Sequence, residues 1–266
     1  MSVMRRQDAA WYDNLYDGVA HRGYALRARM ETVVRVAGPG PGEALDVGMG
    51  PGRLSSALDC MGWTVSGVDA SQEMVELARG RLPQASSRLF CASAEELPFE
   101  DGSFDLVTAT GVLEYAGVSL ALHELARVLR GGGRAVISYP THRSVYAVWK
   151  TRVYYPAARY VKQLANYSGR PQTPGAPLVT PERLCELLAR AGLTPREVVP
   201  TSYLALPSPF DDLMPGAAEW VGRRLESRRL APGRFATQVV IEAEGVEDRR
   251  AFHRAATRNV AVRQTP

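Results

Sequence analysis

Glu43-Ala-Leu-Asp-Val-Gly-Met-Gly-Pro-Gly-Arg-Leu54 decides how the rest of the chain is read. Ala44 to Val47 is a short apolar run suited to a buried strand; it passes through Gly48, Gly50 and Gly52 into a helix that begins near Leu54. Glycine is required where the backbone must turn tightly and be touched by a ligand, because a Cβ would block both. The next strand-like run, Val65-Ser-Gly-Val-Asp69, ends in an acid 21 residues after Gly48. In a βαβ unit that carboxylate lies beside the first turn, where it can accept hydrogen bonds from both hydroxyls of a ribose. Together these features predict a nucleoside-containing cofactor.

The spacing weighs against a dinucleotide. That fingerprint runs Gly-x-Gly-x-x-Gly/Ala, whereas here Arg53 stands at the third position and Asp46 at the tip of the strand. An acid there repels a pyrophosphate and suits a ligand with an ammonium group. At these residues, and at Arg127-Val-Leu-Arg-Gly-Gly-Gly133, the sequence resembles the class I S-adenosylmethionine-dependent methyltransferases. Within them it looks most like the small-molecule enzymes grouped with quinone biosynthesis. The resemblance is strong over roughly residues 40 to 140 and holds in outline elsewhere.

The resemblance implies an α/β fold, a Rossmann-like, mostly parallel seven-stranded sheet with helices on both faces and an N-terminal helical segment; after the fifth strand the residues themselves read as an inserted helical cap. It implies S-adenosylmethionine as methyl donor. Asp46 and Gly48 would hold its methionine part, with Gly50 in the same turn, Asp69 its ribose with Ala70 beside it, and Ser93 with Ala94 the adenine edge. Met74 would lie on the adenine, the Thr110 backbone would line the cofactor, and Tyr16, with Tyr12 and Arg29, would close on the methionine end. Family members often carry an aspartate where Ser93 stands. A hydroxyl accepts more weakly than a carboxylate, so Glu95 or a backbone group are alternatives for that contact.

At 266 residues, 45% hydrophobic and 23% charged, the chain suits one globular α/β domain with an insertion. The division expected is a helical lid over 1–40, a cofactor-binding core over 41–140, a cap over 141–178, the rest of the sheet over 179–244 and a polar tail over 245–266. There is no apolar run of ~18 residues and no signal-peptide core. Cys60, Cys91 and Cys185 show no metal or redox spacing, so a cytoplasmic protein is expected. The net charge is +4, and the basic residues are arginine except for lysine at 150 and 162, which fits coding bias better than nucleic-acid binding. Their distribution is uneven: Leu125 to Pro181 holds nine basic residues and no acid, which implies a local positive field.

Taken in order, helical spacing of Trp11, Tyr12, Leu15 and Tyr16, then of Leu26, Met30, Val33 and Val34, predicts two helices before Gly38. Helices follow at 53–61, at Ser71 as N-cap, at 119–130 and at Thr180-Pro181, with strands at 63–69, 88–92, up to 109, 134–139, 197–206 and 235–243. Between Pro140 and Pro177, Val145, Val148, Trp149 and Val153 share one helical face, and Pro156 starts a second helix with Tyr160, Leu164 and Tyr167. Aromatic and basic residues of this cap suit a pocket for an anionic or membrane-derived acceptor. Shallow contact with anionic lipid is a weaker alternative.

His142, just after the fifth strand with Tyr139 close in sequence, is the leading base, and His21 and Glu114 are further candidates. His123, on a helix, reads as solvated. Thr-Gly-Val-Leu after the fourth strand replaces the Asn-Pro-Pro-Tyr type of tetrapeptide and argues against methylation of DNA bases or protein glutamine. Three functions compete: methyl transfer, most readily to oxygen, of a small, partly apolar metabolite or lipid-like precursor; a nicotinamide-dependent oxidoreductase; and a non-methylating protein that uses the same cofactor to sense or to shape a substrate.

Overall fold

The computed structural model describes residues 6–17, 21–141, 144–154, 156, 180–204, 213–228 and 235–246. Two helices, α1 (Arg6–Leu15) and α2 (His21–Ala37), precede β1 (Glu43–Val47), α3 (Arg53–Cys60), β2 (Thr64–Asp69), α4 (Gln72–Arg81) and β3 (Leu89–Cys91). Then come β4 (Phe104–Thr110), α5 (Val118–Val128), β5 (Leu129–Pro140) and α6 (Val145–Trp149), which runs into a π-turn over Lys150–Tyr154. The chain closes with α7 (Pro181–Arg190), β6 (Leu193–Tyr203), α8 (Pro215–Arg228) and β7 (Ala236–Gly245).

The strands form one seven-stranded sheet in the order β3-β2-β1-β4-β5-β7-β6. All neighbours are parallel except β7, which runs antiparallel between β5 and β6. The strand order reverses at β1, so a crevice opens at the carboxyl ends of β1 and β4, where open α/β sheets bind ligands. The expected Rossmann-like, mostly parallel seven-stranded sheet is therefore present.

Both faces of the sheet are buried, as near-continuous apolar strands require. Leu45, Val47, Val107, Ala109 and Ile137 pack with α5 and α7 on one side. Ala44, Val65, Leu106, Val136 and Val240 pack with α2 and α3 on the other. Local signals set the helix starts: Ser71 Oγ accepts from the Met74 amide at 3.4 Å, and Thr180 Oγ1 accepts from the Arg183 amide at 3.3 Å before Pro181.

Three elements differ from the sequence reading. β5 begins at Leu129, not Arg134: Leu129 already pairs with Phe104, and the ladder slips before Arg134 meets Leu106, so Gly131–Gly133 form a bulge inside the strand rather than a linker ahead of it. β6 begins at Leu193, not near Glu197; as an edge strand it tolerates Pro195 and Pro200. In α6 and the π-turn that follows it, the face shared by Val145, Val148, Trp149 and Val153 is exposed, and Tyr146 is the residue that buries, against Tyr24, Ala28 and Leu204. Helical period identifies a face but not the side on which the core lies. The second cap helix expected from Pro156, the residues of the sixth strand beyond Leu204, and the tail from 247 lie outside the described residues. Among the described residues no helix is long and apolar enough to cross a membrane.

Candidate cofactor and active site

The glycine-rich turn folds β1 into the crevice. Gly48 and Gly50 adopt φ of +71° and +54°, in the left-handed region that side chains disfavour, and a Cβ on Gly48 would run into Val112. The Gly50 amide donates to Asp69 Oδ2 and the Ser71 amide to Asp69 Oδ1, both at 2.9 Å. The acid that ends β2 thus stands against the turn that follows β1. Each carboxylate oxygen keeps a further lone pair with which to accept a ribose hydroxyl. Replacing Asp69 by asparagine is expected to weaken S-adenosylhomocysteine binding by about 1–3 kcal/mol, measured by calorimetry; an unchanged affinity would remove Asp69 from the ribose site.

Asp46 lies at the carboxyl end of β1, only 1% exposed. Ser55 Oγ donates to one of its oxygens at 2.7 Å and Thr108 Oγ1 to the other at 2.9 Å. Burial pushes the Asp46 carboxyl up to about 6; the two hydroxyls pull it down and the Asp69 charge pushes it further up. Burial also raises Asp69, against the pull of its two amide donors, and raises Glu114, against the pull of Arg29. Three carboxyls of raised pKa around one crevice favour a cationic ligand, since its charge would relieve the burial of each.

Strand alternation places Asp46, Thr108, Thr110, Ser138 and Gln238 on the α2 face, at neighbouring levels of the sheet. Arg29, from α2, is 5% exposed and reaches Gln238 Oε1 at 3.4 Å. Its guanidinium lies where a side chain on Gly111 would collide with it. Burial lowers the Arg29 pKa, but the neighbouring Tyr12, Tyr16 and Glu114 outweigh that and hold it raised. Thr110 Oγ1, Glu114 Oε2, Ser138 Oγ and Arg29 Nε are buried without a hydrogen-bond partner. Buried polar atoms are ordinarily satisfied, so these orphans show what a ligand with both acceptors and donors would complete.

α1 closes the crevice. Arg53 Nε binds Asp13 Oδ1 at 2.5 Å, its terminal nitrogens bind both Asp17 oxygens at 2.9 and 2.6 Å, and its guanidinium stacks 5.1 Å from the Tyr16 ring centre. Arg81 adds a bond to Asp13 at 2.9 Å and another to the Pro51 carbonyl. Burial raises the Asp13 carboxyl, but Arg53 and Arg81 outweigh it and hold the group below its ordinary value. Tyr12 and Tyr16 meet edge to face, and burial raises the Tyr16 hydroxyl. The space left between Tyr12, Tyr16, Asp46, Gly48, Gly50 and Thr110 is about 30 Å³. That is room for about one water, whereas ligand pockets measure ~300–1,000 Å³. A larger cleft, about 830 Å³, opens between α2, β6 and α8, away from the glycine turn.

The remaining sequence candidates separate. Met74 is buried in the layer of α4, and Ala94 is buried beside Leu97. Ala70 is exposed, its carbonyl facing Cys91 Sγ at 3.7 Å. Ser93 Oγ donates to Glu95 Oε2 at 3.2 Å and accepts from the Glu95 amide at 3.3 Å, while the other Glu95 oxygen accepts the Gly117 amide ahead of α5. Glu95 therefore orients the hydroxyl that stands in for the family aspartate. Tyr139 is 1% exposed in the core on the α5 side, opposite Ser138, so its ring is not brought together with Asp46 and Thr110. His142 lies outside the described residues. The polar group of Arg29, Ser138 and Gln238 could not be read in advance, since it joins α2 to β5 and β7 across the fold.

A nucleoside-cofactor crevice on a doubly wound α/β sheet is the class that fold and site define. Residues 45–137 match the family model described as a methyltransferase domain, and this part of the chain is a class I S-adenosylmethionine-dependent methyltransferase domain. An uncharacterized methyltransferase of Mycobacterium tuberculosis is 35% identical over 136 residues, 51% of this chain and 50% of that protein. The ubiquinone/menaquinone biosynthesis C-methyltransferase UbiE of a Geobacter species is 37% identical over 125 residues, 43% of this chain and 52% of that one. The chain thus spans about half the length of these curated relatives. A crystal structure of a Thermotoga maritima S-adenosylmethionine-dependent methyltransferase superposes with a TM-score of 0.58 at 21% identity, covering 91% of this chain and 97% of that one, a likeness of fold. The cofactor the family implies is S-adenosylmethionine, and the residues fit it: acids for its cationic groups, Arg29 for its carboxylate, Asp69 for its ribose.

Proposed function

We propose that the protein methylates a small, partly apolar metabolite or lipid-like precursor with S-adenosylmethionine, most readily on oxygen. The observation that carries this reading is the pair of buried Asp46 and partly buried Asp69 at a turn whose glycines leave the backbone bare, with Tyr12 of α1 and Tyr16 just after it lining the same space. When bound, S-adenosylmethionine would supply a methyl group already activated on a sulfonium. The protein's part is then to align the acceptor and exclude water.

α1 does the second task, and the row Thr110, Ser138 and Gln238 offers the hydrogen bonds for the first. A hydroxyl acceptor must lose its proton, and Glu114, whose Oε2 is buried without a partner and whose pKa burial raises, is our candidate to take it. Arg53 supports a methyl donor over a nicotinamide: its charge is already engaged by Asp13 and Asp17 and sits where a dinucleotide fold needs glycine.

The test has two stages. Calorimetric titration with S-adenosylmethionine, S-adenosylhomocysteine and NAD(H) should give micromolar binding of the first two alone; binding of NAD(H) alone would overturn the reading. Mass-spectrometric detection of a methyl gain is then sought over a panel of phenols, carboxylic acids and amines. With an accepted hydroxyl substrate, Glu114→Gln is expected to lower kcat by about 10²–10⁴-fold. An unaltered pH–rate profile would discard Glu114 as the base.

A further inference from the structure

We propose that the outward face of α6 and its following turn is a docking surface for an anionic membrane. Val145, Val148, Trp149 and Val153 are 49%, 39%, 38% and 44% exposed, four large apolar side chains within nine residues. It is held rigidly from behind, because Tyr146 of the same helix is buried against Tyr24 and Ala28 of α2.

A second exposed apolar group stands on another helix packed against α2. Leu213, Met214 and Trp220 stand out on and just before α8, and α8 packs on the same helix, with Gly222 against the Tyr24 ring and Glu219 bound to Arg27 at 2.9 Å. Tryptophan with a cationic partner is the pair that settles at the headgroup level of a bilayer. The Arg224 guanidinium lies 5.5 Å from the centre of the Trp220 ring.

Charge selects the occupant. The segment 125–181 that carries α6 has nine basic residues and no acid, and Arg152 is exposed beside Val153. The acids of α8 are engaged inward: Glu219 with Arg27 and Arg223, and Glu226 with Thr201 and the Ser202 amide. Of those nine basic residues, Arg127, Arg130 and Arg134 are ion-paired on α5 and β5; an apolar surface flanked by the Arg152 and Arg224 guanidiniums fits an anionic lipid surface, which draws basic residues in and then receives the apolar ones. α6 follows the carboxyl end of β5, so docking there would set the mouth of the crevice against the bilayer, where an apolar acceptor would be concentrated.

The experiment is co-sedimentation of the full chain, without cofactor or acceptor, with vesicles of phosphatidylcholine alone or mixed with phosphatidylglycerol, at low and high salt. The expected result is about tenfold greater partition into the anionic vesicles, reduced by salt, and lost in Val148→Ser/Trp149→Ser. Arg152→Glu, on an exposed side chain, should also weaken it without moving the thermal midpoint, which covers the case in which the double variant misfolds. Equal partition into both vesicle types, or binding indifferent to all three substitutions, overturns the proposal. So does a dimer by light scattering that the double substitution dissociates while vesicles leave the wild type in solution; the face would then join two copies of the chain. None of these readouts involves methyl transfer, so the outcome is independent of the function proposed above.

Discussion

Asp46→Asn is expected to bind S-adenosylmethionine about 10–100-fold more weakly than the wild type near pH 7.5, the loss of a charge-assisted bond to an ammonium group, while its ligand-free fold is at least as stable. The two effects share one cause. The carboxyl is buried and its pKa lies near 6, above the ordinary 3.8. The native state therefore holds the proton more tightly than the unfolded chain, so this group's contribution to stability is fully present below 3.8 and is lost as pH rises through about 6. The amount is on the order of 3 kcal/mol. Asparagine carries no such titration and can still bond Ser55 and Thr108. Thermal midpoints of the two proteins should converge near pH 4 and separate in favour of the variant near pH 7.

The pH dependence of binding runs the other way. A cationic ligand favours the ionised carboxylate, so wild-type affinity should climb as pH passes through about 6 and then level off, a rise the variant lacks. Undiminished affinity in Asp46→Asn would end the role given to this residue. If the variant instead melts earlier at neutral pH, the buried charge is not the cost described.

Arg53→Met is expected to open the crevice. The guanidinium joins α1 to the glycine turn through Asp13 and lies on the Tyr16 ring. Losing those two contacts removes about 1–2 kcal/mol, which shifts the closed-to-open ratio roughly tenfold. With only about 30 Å³ free beneath α1, entry must wait for opening. S-adenosylhomocysteine should then associate and dissociate about tenfold faster in stopped flow, and protease cleavage within residues 6–29 should accelerate. High salt should move the wild type in the same direction, because Asp17 and Arg53 meet at the surface. Wild-type rates and wild-type cleavage in the variant would show that α1 is held by something else.

Much of this was readable in the residues because it is local. The turn from β1, the acid ending β2 and the caps at Ser71 and Thr180 each depend on a few consecutive positions, and each formed as expected. What escaped depends on partners far apart. Arg53 read only as a missing glycine, yet its partners Asp13, on α1, and Asp17, in the turn after it, stand 40 and 36 residues away. Glu95 was an alternative for one adenine contact, and its bond to the Gly117 amide, 22 residues on, makes it the brace for Ser93. Tyr139 fell on the α5 face because alternation along a strand sends neighbours to opposite sides, and Ser138 took the other.

The antiparallel β7 has a consequence for how this protein can change. β5 leaves the sheet at Pro140, and the chain rejoins it at Leu193 on the far side of a gap that β7 later fills, pairing seven positions of β5 and nine of β6. The last strand therefore clasps the two borders of an interruption more than fifty residues long. The residues that the family resemblance assigns to the nucleoside, Asp69, Met74, Ser93 and Ala94, all precede that interruption. On the function proposed above, replacing the single contiguous piece between 141 and 180 would change the acceptor while the residues assigned to the nucleoside, all ahead of it in the chain, stay in place.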